Sequence, residues 1–215
     1  MDKVKGVVTG DVVRSSVMHG AFRDALLASL RLVASDLSLI EPVSVEIFRG
    51  DSFQLVVDAP ENALRIAILL RIGLKSHTPH DSPFPWDARL SVGIGSISYH
   101  ADSVVLSDGE AFQFSGRELD KMGKRRLVLK TRWQDVNDEL TVSTAFADDV
   151  ISSWSVAQSQ AAYQSILYAM PQKDIALKLH MSAQNVSKLL STARLSLINA
   201  FINRYHALIS SHAAL

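Results

Sequence analysis

The stretch Val45-Glu46-Ile47-Phe48-Arg49-Gly50-Asp51-Ser52-Phe53-Gln54-Leu55-Val56-Val57 predicts two strands joined by a tight turn. Apolar residues flank the Arg-Gly-Asp-Ser break on both sides, and Gly50 supplies the backbone freedom that a short hairpin turn needs. Asp51 would then be exposed and rigidly held at the hairpin tip. A carboxylate in that position suits a metal ion or a metal-bound phosphate, although Gly-Asp is also ordinary turn chemistry.

A second acid stands at the end of another predicted strand. The run from Val4 to Val13 is mostly apolar and contains Thr9-Gly10-Asp11, which places Asp11 near the carboxyl end of that strand. Two carboxylates on adjacent strands are a common way to hold Mg²⁺ together with the phosphates of a nucleotide. Asp11 and Asp51 are therefore the candidate metal ligands.

These segments resemble the class III nucleotide cyclases. Asp11 is similar to their first metal-binding aspartate, and Phe48 to Phe53 resembles both their second-aspartate hairpin and a degenerate GGDEF signature of diguanylate cyclases. Gly109 to Arg117 has the spacing of a cyclase helix that contacts the nucleotide. The resemblance implies metal binding by Asp11 and Asp51, and nucleotide binding by a set of three residues: Arg49, Gln113 and Arg117. The alternative is that Gln113 and Arg117 are polar residues that contact only solvent.

The chain also departs from these families. A working diguanylate cyclase has a second glycine and a second acid in this hairpin, where this chain has Arg49 and Ser52. A class III adenylyl cyclase has a base-reading lysine where this chain has Ile47. The resemblance therefore leaves open whether the protein is an enzyme, and we expect binding without turnover.

The order of the predicted elements indicates a palm-like domain. Apolar residues recur at helical spacing over residues 19–40 and 60–75, a loop covers 77–86, strands cover 87–99 and part of 123–132, and a helix begins near Gly109. This order predicts an α+β fold with a ferredoxin-like, largely antiparallel sheet and helices on one face. We assign residues 1–150 to this palm and residues 155–215 to a small all-α domain.

Residues 172–190 have the pattern of a helix-turn-helix. Apolar residues fall on the expected core positions, Ala176 is small where two helices cross, and Ser182 is placed to cap the second helix. That helix would present a polar set to DNA: Ser182, Gln184, Asn185, Ser187 and Lys188. A small helical bundle with a polar face is the alternative. With this tail behind the palm, the chain most resembles the bacterial SatD-like proteins.

Charge and composition narrow the class of protein. From Ser155 onwards there are five basic residues and one acid, a net charge of +4, whereas the remainder carries −4. The basic tail favours double-stranded DNA as a partner. There is no cysteine, no signal-peptide pattern and no apolar run long enough to cross a membrane, so we expect a cytoplasmic protein.

Three hypotheses follow. The first is a DNA-binding regulator, a homodimer, whose palm binds a nucleotide or similar phosphate ligand with Mg²⁺. The second is an active nucleotidyl cyclase or nucleotide-polymerising enzyme. The third is a palm used only for dimerisation.

Overall fold

The computed structural model describes residues 3–18, 20–48, 51–98 and 108–214. Within these ranges the strands are β1 Val4–Val12, β2 Val45–Phe48, β3 Ser52–Val57, β4 Ala88–Ser96 and β5 Leu127–Thr131. The helices are α1 Ala21–Leu37, α2 Ala63–Ser76, α3 Glu110–Lys121, α4 Gln134–Ser152, α5 Val156–Tyr168, α6 Gln172–Lys178, α7 Ala183–Thr192 and α8 Leu195–Ala213. Short 3₁₀ turns at Ser15–Val17 and Pro60–Asn62 precede α1 and α2.

The strands form one sheet in the order β2-β3-β1-β4-β5. All neighbouring strands are antiparallel except β4 and β5, which are parallel. The succession β1-α1-β2-β3-α2-β4, with β1 between β3 and β4, is the ferredoxin-like arrangement. The predicted α+β fold is therefore confirmed, and β5 lies at one edge of the sheet.

Both faces of the central strand β1 are covered by helices, so the prediction of helices on one face of the sheet is wrong. Val8 and Val12 belong to the main apolar core with α1 and α2, whereas Val7 packs in a smaller cluster with residues of α3. This division follows from the alternation of side chains along a strand. A Cβ atom at Gly93 would lie 2.2 Å from a backbone carbonyl oxygen of α3, so glycine is what lets α3 approach β4 this closely.

The C-terminal helices pack onto the α2 side of the palm. The Tyr205 hydroxyl donates a hydrogen bond to the carbonyl oxygen of Pro60 at 2.7 Å, and Arg65 donates to that of Ile166 at 2.7 Å. Buried apolar residues of α5 to α8 belong to the same core cluster as those of α1 and α2. The division into two domains stays a prediction, because apolar contacts are continuous across the proposed boundary.

Candidate functional site

Asp11 lies near the end of β1, opposite Arg89 on β4 and Ser52 on β3. The Arg89 guanidinium holds both oxygens of Asp11: Nε donates to Oδ1 at 2.8 Å, and Nη2 donates to Oδ2. The hydrogen bond to Asp11 raises the pKa of Arg89, and the charges of Asp120 and Asp51 act in the same direction. The Arg89 guanidinium, a cation, therefore occupies the position at Asp11 where the sequence predicts a metal ion.

Asp51 stands immediately before β3, beside the end of β1. Its carbonyl oxygen accepts the Val12 N–H at 3.1 Å, and its carboxylate accepts a hydrogen bond from the Ser15 hydroxyl. Asp11 and Asp51 therefore lie at the same end of two neighbouring strands, as expected from the sequence. Arg49, predicted to bind a nucleotide from the same hairpin, lies outside the described residues.

The arrangement around Asp11 does not fit a divalent cation as it stands. Mg²⁺ and Mn²⁺ need carboxylate oxygens that are free to coordinate them, and both Asp11 oxygens are hydrogen bonded to Arg89. A guanidinium at this distance would also repel a divalent ion. Among the residues that the structure describes, no group of three or more histidine, aspartate or glutamate side chains could hold a metal ion.

Gln113 and Arg117 lie one turn apart on the outer face of α3. Both are exposed, and the Arg117 guanidinium donates to the Gln113 side-chain oxygen at 3.3 Å. Ser115, between them, faces the sheet and hydrogen bonds with Thr9 at 2.8 Å. The predicted nucleotide contacts thus point away from the sheet. In the described part of the chain, neither residue forms a hydrogen bond or ion pair with the acids at the strand ends.

A buried ion network on the other side of the sheet was not anticipated from the sequence. Arg71 of α2 is fully buried and binds Asp87 at 2.8 Å and Asp148 at 2.7 Å. Arg126 donates to Asp87 at 2.6 Å, and the Lys75 ammonium lies 3.4 Å from the same carboxylate. Burial alone would raise the pKa of Asp87, but its cationic neighbours, Arg71 foremost, lower that pKa below its ordinary value.

A signal for this network does exist in the sequence. Arg71 and Lys75 are four residues apart on a helix whose other residues are almost all apolar, which places two cations on one face of a buried helix. Buried cations require acidic partners. The partners themselves, at positions 87 and 148, could not be identified without the tertiary fold.

Helices α6 and α7 are joined by a tight turn at the predicted place. His180 adopts the left-handed conformation, with φ of 52°, and the Met181 N–H donates to the Ala176 carbonyl oxygen at 2.9 Å. The Ser182 hydroxyl caps α7 by accepting the Asn185 N–H at 3.1 Å. On α7, Val186 and Leu190 are buried, and the residues predicted to contact DNA are exposed: Ser182, Gln184, Asn185, Ser187 and Lys188.

Comparisons with known proteins do not show a family for this chain. No family model matches the chain, and no curated protein is similar to it. Among solved structures, the GGEEF domain of a Vibrio cholerae diguanylate cyclase is 16% identical, with a TM-score of 0.44 over 61% of this chain and 85% of that one. A bacterial light-regulated adenylyl cyclase is also 16% identical, with a TM-score of 0.42 over 60% of this chain and 43% of that one. The fold class rests on the strand order and not on these likenesses.

None of the helices in the described ranges combines the length and the apolar character that crossing a membrane requires.

Proposed function

We propose that this chain is a cytoplasmic DNA-binding transcriptional regulator in which α7 enters the major groove and the palm binds a small phosphate-containing ligand such as a nucleotide. The observation that carries the proposal is the exposed face of α7, which is polar, contains Lys188 and has no acidic residue. Such a face suits a polyanionic duplex, because acids would be repelled by the phosphates.

Individual side chains of α7 have distinct roles in this proposal. Gln184 and Asn185, in the first turn, have amide groups of the kind that pair with the edge of adenine. Lys188, one turn further, would neutralise a backbone phosphate. The Ser182 hydroxyl is engaged as the helix cap, so its role is to fix the N-terminal end of α7, whose free N–H groups and positive dipole favour a phosphate.

The homodimer is also a proposal. The apolar residues that recur along α8 are buried within the chain itself at Ile202, Tyr205 and Ile209. A separate apolar surface supports the dimer. Val142 and Phe146 of α4 and Leu197 of α8 are 61%, 69% and 60% exposed. Two-fold pairing would place two α7 helices on successive half-sites of DNA.

A metal-dependent nucleotidyl cyclase is the second candidate. The placement of Asp11 and Asp51 at one end of neighbouring strands favours it, and the engagement of Asp11 by Arg89 opposes it. Incubating the protein with each nucleoside triphosphate and Mn²⁺ separates the candidates. A cyclic or oligomeric product that disappears in Asp51→Ala would establish the enzyme, whereas ligand-induced stabilisation without product supports the regulator.

The direct test of DNA reading is selection from a pool of random-sequence duplexes. We expect the full-length protein to enrich a defined sequence, and Asn185→Ala to relax the preference at one base pair of it. Asn203→Ala is the matched control, because Asn203 is exposed on α8 and lies outside α7. No enrichment by the wild-type protein, or equal loss of preference in both variants, would contradict the proposal.

A further inference from the structure

A cavity lies where the palm meets the C-terminal helices. It has a volume of about 220 Å³ and is bounded by the residues that follow β1, the loop before β4, α2, and the α4–α5 junction. The chemically important side chains that line it are Arg14, Lys75, Asp87, Arg126, Ser152 and Trp154. This volume is below the ~300–1,000 Å³ of sites for drug-sized ligands, so it suits a small ion or one end of a larger molecule.

The cavity wall has more positive than negative charge. Asp87 is its one acidic lining residue, and three cations share that carboxylate: Arg71, Lys75 and Arg126. The charged lining residues are Arg14, Lys75, Arg126 and Asp87, and the ion network adds Arg71, which pairs with Asp87, and Asp148, which pairs with Arg71. Four cations against two carboxylates give this set a net charge of +2. Buried or half-buried charges of one sign are costly without a counter-ion.

Among the described residues, the ammonium group of Lys75 has fewer hydrogen-bond acceptors than it has N–H donors. Its side chain is 3% exposed, and its ammonium has two described acceptors, the Ile151 carbonyl oxygen at 3.2 Å and Asp87 at 3.4 Å. Burial lowers the pKa of Lys75, and Asp87 offsets this only in part. An ammonium has three N–H donors, and an anion in the cavity would offer it an additional acceptor.

Arg14 is an exposed residue of the cavity lining and has an unusual backbone conformation. Its φ is 63° in the left-handed region, where residues other than glycine are uncommon, and its guanidinium lies 5.1 Å from the centroid of the Phe84 ring. Strain of this kind is often retained at ligand sites. A guanidinium that stacks on an aromatic ring and lines a cavity is well suited to bind phosphate oxygens in a bidentate manner.

We propose that this cavity is an anion site that binds the phosphate group of a small molecule, with Arg14, Lys75 and Arg126 as its cationic contacts. A phosphate monoester carries a charge of about −1.5 to −2 at pH 7, which matches the excess of +2 better than a single carboxylate does. The site is distinct from the Asp11–Arg89 pair, because none of those residues lines the cavity.

The cavity also has a direct connection to α7. Trp154 lines it, and the indole N–H of Trp154 donates to the Ala193 carbonyl oxygen at 2.9 Å, immediately after α7 ends. A ligand that contacts the Trp154 ring therefore acts on the residue that holds the end of this helix. This regulatory step rests on the proposed function of α7, whereas the anion site itself does not.

Isothermal titration with inorganic phosphate at constant ionic strength tests the site. Arg14→Gly removes the cation and relieves the left-handed strain, so this variant should fold at least as well as the wild-type protein and bind phosphate about tenfold more weakly. Arg194→Gly is the matched control, because Arg194 is also exposed, has φ of 53° and lies outside the cavity. Arg126→Gln is a second variant that should weaken binding.

The outcomes separate the site from the proposed function. Phosphate binding that is weakened in Arg14→Gly and Arg126→Gln but unchanged in Arg194→Gly supports the site, even if the protein binds no DNA. Absence of binding to the wild-type protein, or equal weakening in all three variants, overturns it. If phosphate binds at the cavity but leaves DNA affinity unchanged at constant ionic strength, the regulatory step through Trp154 is wrong.

Discussion

Replacing Arg89 by methionine should convert the end of β1 into a site that responds to divalent cations. The substitution preserves much of the side-chain volume and removes the charge that engages both oxygens of Asp11. The negative charges of Asp11, Asp51 and Asp120, which all act on Arg89, would then be left without their shared cation. Without the guanidinium between them, these carboxylates repel one another, and their oxygens become available as ligands for Mn²⁺.

The expected loss of stability in Arg89→Met follows from the solvent exposure of the Arg89–Asp11 ion pair. The side chains of Arg89 and Asp11 are 37% and 19% exposed, between a surface ion pair and a buried one. We expect a loss of about 1–2 kcal/mol in the free energy of unfolding, intermediate between the values for those two classes. For a chain of this size that corresponds to a melting temperature lower by roughly 2–8 °C. Saturating Mn²⁺ should restore most of the loss, because a ligand at about 100 times its Kd contributes ~2.7 kcal/mol.

Thermal melts with Mn²⁺ and with a chelator measure both effects. The wild-type melting temperature should not depend on Mn²⁺, and that of Arg89→Met should rise when Mn²⁺ is added. Arg132→Met is the matched control, since Arg132 also pairs with a carboxylate, Glu110 at 3.5 Å, away from Asp11. Equal stabilisation of the wild-type protein and Arg89→Met by Mn²⁺ would refute the argument, as would an Arg89→Met protein that is as stable as wild type and insensitive to the ion.

Three further predictions concern packing, burial and pH. Gly93→Ala should lower the free energy of unfolding, measured by chemical denaturation, by about 3 kcal/mol or more, because the new methyl group collides with the α3 backbone. Gly116→Ala, which has open space around it, should raise that free energy by about 0.5–1 kcal/mol. Similar values for the two variants would contradict the close approach of α3. Arg71→Met should lower the free energy of unfolding by about 3–5 kcal/mol in the same assay, because it leaves buried carboxylates without their main partner. An unchanged free energy of unfolding would be inconsistent with the burial of this ion pair. The hydrogen bond to Asp135, together with one to a backbone carbonyl, raises the pKa of His212, so its stabilising contribution is complete below about pH 6.5 and is lost as the pH rises through the folded-state pKa. The melting temperature should accordingly fall between about pH 6 and pH 8 more in the wild-type protein than in Asp135→Asn, and identical pH profiles would count against this pair.

Local patterns in the sequence were sufficient to predict several elements of the palm. The paired strands on either side of Asp51 and the strand ending near Asp11 follow from residue types at short spacing, and the structure contains both. The turn between α6 and α7 was located in the same way. These features depend on interactions within a few residues, which a single sequence displays directly.

Features that depend on distant pairing could not be predicted. Arg89 and Asp11 are 78 residues apart, and only the register of β1 with β4 places them opposite each other. Helix α4 was also missed, because its buried face includes the polar residues Asn137, Thr144 and Asp148, which interrupt the apolar repeat. Two of these bind partners that the fold supplies: Asp148 pairs with Arg71, and Asn137 donates to a backbone carbonyl.

The salt dependence of binding to a mixed-sequence duplex tests the central claim, that α7 lies against DNA. The logarithm of the affinity of the full-length protein should fall linearly with the logarithm of the salt concentration, and Lys188→Ala should reduce the steepness by about one unit. Lys124→Ala, an exposed lysine of the palm, should leave the slope unchanged. Binding that is undetectable at low salt, or slopes that are the same for wild type and Lys188→Ala, would contradict the account.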